Sequence, residues 1–318
     1  MFRSLALAAI ALSIPLAVCA QPFRLGLITP PTHQWTKTAQ EISQEIAQGT
    51  EGRVQIMVMP SGQLGNEARI LQQVQTGAVD FAFLTGGEFA NRDPDYGVFY
   101  APYLVSNTQE AAQILQGGVA HTLLDRLDGF GLKGLGWGMA GMRQIVMSGP
   151  IETRDDLRGK RIRTVPLAPE MAFWSELGAA PTPMPLPALY DAFANGQIDG
   201  MQIDHEGTWT AGYWRNAKVV LNSNHMIFPM LAVASQRSWA KISPEDQTRI
   251  TAIMERELAQ MNAAYARIDA DNLAELRQAG VDVRNVDRDW FGAAVDRWYA
   301  AWRQKAPLLT VLEQEINE

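Results

Sequence analysis

QTGAVDFAF at 75–83 and ANGQIDGMQ at 194–202 decide the reading of the fold. Each places a helix-ending glycine (Gly77, Gly196), a branched residue and an aspartate (Asp80, Asp199) ahead of a short segment. Glycine there accepts the left-handed backbone that stops a helix. Around the first copy, 23–28 reads as a short strand and 35–46 as a helix with Trp35, Ala39, Ile42 and Ile46 at helical spacing. Residues 53–59 alternate as a half-buried strand, 66–75 form a second helix, and 79–84 a short apolar strand. That order marks an α/β sheet. Around the second copy the grammar returns, with a strand at 161–165, a helix at 169–177, a proline-rich loop at 181–187 and a helix at 188–194. The 318 residues fit two such domains.

Ser243-Pro244-Glu245-Asp246 opens a long helical stretch, with serine as cap, proline in the first turn and acids at the positive end of the dipole. Without proline or glycine between Glu245 and Ala279, one helix there would be about 50 Å long and could lie across both lobes. A break near 269–271 is the alternative. In the tail, Trp290, Val295, Trp298, Leu308 and Leu312 offer docking surfaces for one or two short helices.

Composition is globular, with 47% hydrophobic and 19% charged residues, which excludes a largely disordered chain. A net charge of −7 argues against a nucleic-acid partner, which calls for a basic face. MFRSLALAAIALSIPLAVCAQ has one positive residue, an apolar run and small residues up to Ala20, the plan of a secretory signal peptide over 1–20. Cleavage there would remove the single cysteine, Cys19, and leave a thiol-free chain in the periplasm. The run into Cys19 also loosely resembles a lipoprotein box, so lipid anchoring is the second route.

Enzyme signatures are missing. The histidines (His33, His121, His205, His225) are scattered, and no G-x-S-x-G, H-E-x-x-H or P-loop pattern occurs. Asp204-His205-Glu206 reads as a solvated loop rather than a metal site, because adjacent residues rarely converge on one ion. No cofactor is called for. Arg143 and the run LRGKRIRTVP at 157–166 are more informative. An arginine ending a strand beside a loop and helix sits where open α/β sheets hold ligands. Its planar fork can grip a carboxylate with two parallel hydrogen bonds.

Several strings together resemble the solute-binding proteins of TRAP (tripartite ATP-independent periplasmic) transporters. They are SGQLGNEARILQQVQTGAVDFAFL at 61–84, YGVFYAPYLV at 96–105, LRGKRIRTVP at 157–166, LGAAPTPMPLPALYDAFANGQIDG at 177–200 and WAKISPEDQTRI at 239–250. The resemblance implies a two-lobed α/β periplasmic binding protein fold, type II-like, with a ligand cleft between lobes and a long helix bridging both. It implies an exported, monomeric carrier that captures an organic acid and delivers it to a membrane permease pair. Lobe I would hold 21–142 and about 226–268, and lobe II 143–225 and about 269–318. Arg163 falls on the family arginine that holds the ligand carboxylate, with Arg143 as a secondary contact. Glu67 and Thr85 from lobe I, and Phe173, Trp174 and Trp209 from lobe II, are the expected lining. Ile203 stands where the family often has a ligand-binding asparagine, so that contact is lost or passes to Gln202 or Asp204. The uncharged Gln202 stands where some keto-acid binders place a metal-holding acid, so no metal is expected. A periplasmic sensor subunit and a secreted enzyme on the same scaffold are the rival readings.

Overall fold

A computed structural model describes residues 21–317. The expected signal peptide, with Cys19, lies outside the described residues.

The first half builds strand β1 (Phe23–Gly26), helix α1 (Gln34–Gly49), β2 (Ile56–Met59), α2 (Glu67–Thr76) and β3 (Phe81–Thr85), in the order the periodicity predicts. Short helices α3 (Gly87–Ala90), α4 (Thr108–Ile114) and α5 (Gly118–Arg126) lead into β4 (Leu132–Met142) and, after Arg143, β5 (Gln144–Met147). Next come β6 (Arg161–Thr164), α6 (Ala168–Glu176), β7 (Ala180–Pro183), α7 (Leu189–Ala194), β8 (Gly200–Ile203), α8 (His205–Thr210) and β9 (Val219–Asn222). The chain closes with β10 (Ile227–Ser235), α9 (Gln236–Trp239), α10 (Pro244–Gln278), β11 (Val283–Asn285), α11 (Ala294–Lys305) and α12 (Leu308–Asn317).

Two sheets result. The first has the order β2-β1-β3-β10-β4 and the second β11-β9-β5-β8-β6-β7. The chain therefore passes between sheets at Arg143, again at 223–226, and a third time through α10. Gln144 stitches the two strand crossings, because its Oε1 accepts from the backbone N–H groups of Ser223 and Asn224 at 2.8 and 3.1 Å. Helix α10 is unbroken over 35 residues, so the alternative break near 269–271 does not occur. It packs on β4, α1, α4 and α8. Among the C-terminal helices, α11 packs on α6, and α12 on α5 and the 3-10 turn Pro94–Tyr100.

The sequence echo has one structural meaning in both sheets. Asp80 Oδ2 accepts from the backbone N–H of Arg24, and Asp199 Oδ2 from that of Arg161, each at 2.8 Å. In both copies the aspartate ties the loop before a strand to the start of the neighbouring parallel strand, just after a left-handed glycine. One expectation needs correcting. Part of the proline-rich loop at 181–187 is strand β7, paired parallel with β6 at the sheet edge. Proline cannot donate to a ladder, and an edge strand is where that shortfall is harmless.

Candidate functional site

Strands β1 and β6 end at a cavity between the two sheets, where open α/β sheets hold ligands. Its walls include Ile28, Thr29, His33, Trp35 and Glu67 from the first sheet's side, and Arg163, Val165, Leu186, Ile203 and Tyr213 from the second. Arg143, at the first crossing, and Phe228, near the start of β10, also line it. The site leaves about 50 Å³ for the centres of water molecules, a narrow space between its two sets of walls. An adjoining opening shares Ile28, Glu67, Val165 and Leu186 and is framed by Gly62 and Pro187.

Arg163 is only 2% exposed, yet its single hydrogen bond among the described residues runs from Nε to the Met184 carbonyl at 3.0 Å. Its two terminal nitrogens make no ion pair there. Burial therefore lowers its pKa to about 10, with neighbouring Arg143 adding to the fall and Glu170 opposing it. Arg143 is neutralised instead: Nη1 donates to Asp204 Oδ2 at 2.7 Å, and the guanidinium lies 3.4 Å over the Phe228 ring. Its Nε is buried without a partner. One arginine is thus balanced within the protein and the other is not.

Glu67 is held against the end of β3, where Oε1 accepts from Thr85 N–H at 2.8 Å and Oε2 from the Thr85 hydroxyl at 3.2 Å. Burial and the nearby Glu88 push it up to about 8, against the pull of Thr85 and Arg163. Glu170, also buried, accepts from Val165 N–H through Oε2, while Oε1 has no partner.

His33, Asp204 and Glu206 bring potential metal-ligating atoms within 4.8 Å of one another. The solvated loop expected at 204–206 is in fact buried, because Asp204 caps α8 by accepting from Gly207 N–H at 2.7 Å. Each group is already engaged. Glu206 accepts from Gln34 N–H at 2.7 Å and from the Tyr265 hydroxyl at 2.9 Å. His33 Nδ1 accepts from Trp35 N–H, which leaves Nε2 as the proton-bearing nitrogen, 3.6 Å from Glu206. Through Glu206 these hydrogen bonds tie the start of α1 to the start of α8.

The model of the family described as bacterial extracellular solute-binding protein, family 7, matches residues 25–305. The chain belongs to this family. A family-7 relative from Chromohalobacter salexigens, named a solute-binding protein, is 25% identical over 99% of this chain and 95% of its own length. The 2,3-diketo-L-gulonate-binding periplasmic protein of Escherichia coli is 26% identical over 88% of this chain and 86% of its own. The crystal structure of a TRAP periplasmic solute-binding protein from Xanthobacter autotrophicus, with bound β-D-galacturonate, superposes with a TM-score of 0.86 at 26% identity, covering 92% of this chain and 98% of that one. The family-7 chain is a TRAP-type solute-binding protein with the two-lobed α/β fold that the sequence resemblance implied.

In this family-7 protein the residues singled out from sequence divide into two groups. Arg163, Arg143, Glu67 and Asp204 line the cavity. Thr85 stands behind Glu67 and fixes its carboxyl group. Phe173, Trp174, Gln202 and Trp209 do not line it. Trp174 Nε1 donates to Gln202 Oε1 at 2.8 Å, and His225 Nε2 lies 2.9 Å from the same oxygen, so these side chains form a buried layer behind the strand crossings. Phe173 stacks on His225, and Trp209 on Trp214. Gln202 points away from the cavity because alternation along β8 sends Ile203 into it. Thr29, Trp35, Tyr213 and Phe228 were missed. For Thr29 and Trp35 the position after a parallel strand was the available signal; Phe228, inside an apolar strand, gave none.

Proposed function

We propose that the protein captures an organic acid by its carboxylate on Arg163, closes its lobes around it, and hands it to the membrane permease subunits of a TRAP transporter. The carrying observation is the buried Arg163 guanidinium, whose terminal donors are unpaired among the described residues beside the cavity. An anion there fills two donors at once and cancels a charge that burial disfavours. Arg143, already paired with Asp204, supplies field rather than a second carboxylate grip. Closure follows because wall residues come from both sheets, so a ligand touching all of them binds the closed form better than the open one. The sugar acids and diketo-acid named for relatives all carry a carboxylate, which supports the same use of the arginine. Export through residues 1–20, action as a monomer and absence of turnover complete the proposal. Native mass spectrometry of the protein as purified, with a thermal-shift screen of organic acids, tests it. An acid raises the melting temperature of the unaltered chain, and the rise is abolished in Arg163→Met. A rise that persists in the variant rejects the assignment.

A further inference from the structure

We infer that the acid this site takes has a hydrocarbon body, aromatic or branched aliphatic, rather than a polyhydroxylated sugar chain. The inference rests on the carboxylate reading above and adds what surrounds the rest of the ligand. Away from Arg163 the cavity is walled by Ile28, Val165, Leu186, Ile203 and the Trp35–Phe228 stack. Of the polar groups among these walls, the Tyr213 hydroxyl makes no hydrogen bond among the described residues, and most of the others are spent inside the protein. Both Glu67 oxygens face Thr85, and Asp204 is shared between Gly207 and Arg143. The Thr29 hydroxyl pairs with Thr36 at 2.8 Å, and the Thr210 hydroxyl donates to the Glu206 carbonyl at 2.7 Å.

A sugar acid would bury several hydroxyl groups here, each a donor and an acceptor, against a wall that offers few free partners. Every hydroxyl left unpaired lowers affinity roughly tenfold, whereas a hydrocarbon body loses nothing and removes apolar wall from water. Ile203 is the decisive residue. It reaches the cavity from the end of β8, beside the start of α8, and its branched side chain sits where a polar one could meet a ligand hydroxyl.

The test compares phenylacetate and 4-methyl-2-oxopentanoate with D-glucuronate and D-galacturonate by isothermal titration calorimetry, on ligand-stripped full-length mature protein. The better hydrocarbon acid is expected to bind at least tenfold tighter than either hexuronate. Ile203→Asn, with Ile203→Thr as a smaller change should the first fold poorly, is expected to bring that ratio towards one. Hexuronate binding as tight as, or tighter than, the hydrocarbon acids overturns the inference, as does no binding of either hydrocarbon acid. Arg163→Met separates the two claims. If hexuronates win and still require Arg163, only the hydrocarbon inference fails. If hydrocarbon acids win but bind the variant equally well, the carboxylate reading fails and the body preference stands.

Discussion

Arg163→Met is expected to move stability and affinity in opposite directions. Burial takes the guanidinium from its ordinary range down to about 10. For a base, a folded pKa below the unfolded one means the unfolded chain holds its proton more tightly, so the penalty applies at every pH below about 10. At about 1.4 kcal/mol per pH unit, this charge costs the ligand-free fold about 3 kcal/mol. Methionine removes that cost and keeps much of the volume, but leaves the Met184 carbonyl without its 3.0 Å donor, a loss of about 1 kcal/mol. The net expectation is a ligand-free variant more stable by about 2 kcal/mol. Its ligand, however, loses two charge-assisted hydrogen bonds of about 1.5–3 kcal/mol each, which weakens binding by roughly two to four orders of magnitude. Urea unfolding followed by circular dichroism gives the first quantity and titration calorimetry the second. A variant that is destabilised by more than 1 kcal/mol while binding normally would refute the reasoning, because Arg163 would then be a structural residue.

Two further outcomes follow from buried groups away from the arginine. His225, packed between Ser223 and Gln202 at 2.8 and 2.9 Å, is lowered to about 3 by burial and by Arg143. Between pH 3 and the ordinary 6.5 the unfolded chain takes up a proton that the folded one refuses, so stability rises with pH across that window by about 1.4 kcal/mol per unit and levels off above it; His225→Asn flattens the part of the urea-midpoint profile between pH 4.5 and 6.5 that this group supplies. Glu206→Gln removes the charge joining the start of α1 to α8 and Tyr265, so the closed form weakens and affinity falls by about tenfold; an unchanged Kd by calorimetry, with the same lobe separation by small-angle scattering, would show that the joint has no part in closure.

How far the chain could be read depended on whether a feature was local. Helices α1, α2 and α10 carry their own signals in apolar spacing, caps and glycine stops, and all three occur close to where those signals place them. Arg163 was singled out by the family resemblance, because residue type and neighbours alone mark it as one of several arginines at 143 and 157–166. The buried state of Asp204 and Glu206 was not, because it depends on α1 arriving from 170 residues away in sequence, and polar side chains in isolation read as solvated. Phe173, Trp174 and Gln202 were expected in the lining and lie behind it instead. Period-2 alternation separates Gln202 from Ile203, yet nothing local says which face of β8 meets the cavity. Pro181 and Pro183 hid a strand for a similar reason, since an edge position is a property of the whole sheet.

Helix α10 also sets the geometry of access. A continuous rod of 35 residues is about 52 Å long, and its C-terminal part lies beside the strand crossings, where Asp269 accepts from Met142 N–H at 3.1 Å. With a fulcrum there, the arms are about 38 Å and about 14 Å, and a tilt of about 10° displaces their tips by about 6–7 Å and about 2–3 Å. The rod resists twist, so the lobes are steered to part along one arc, like covers on a stiff spine.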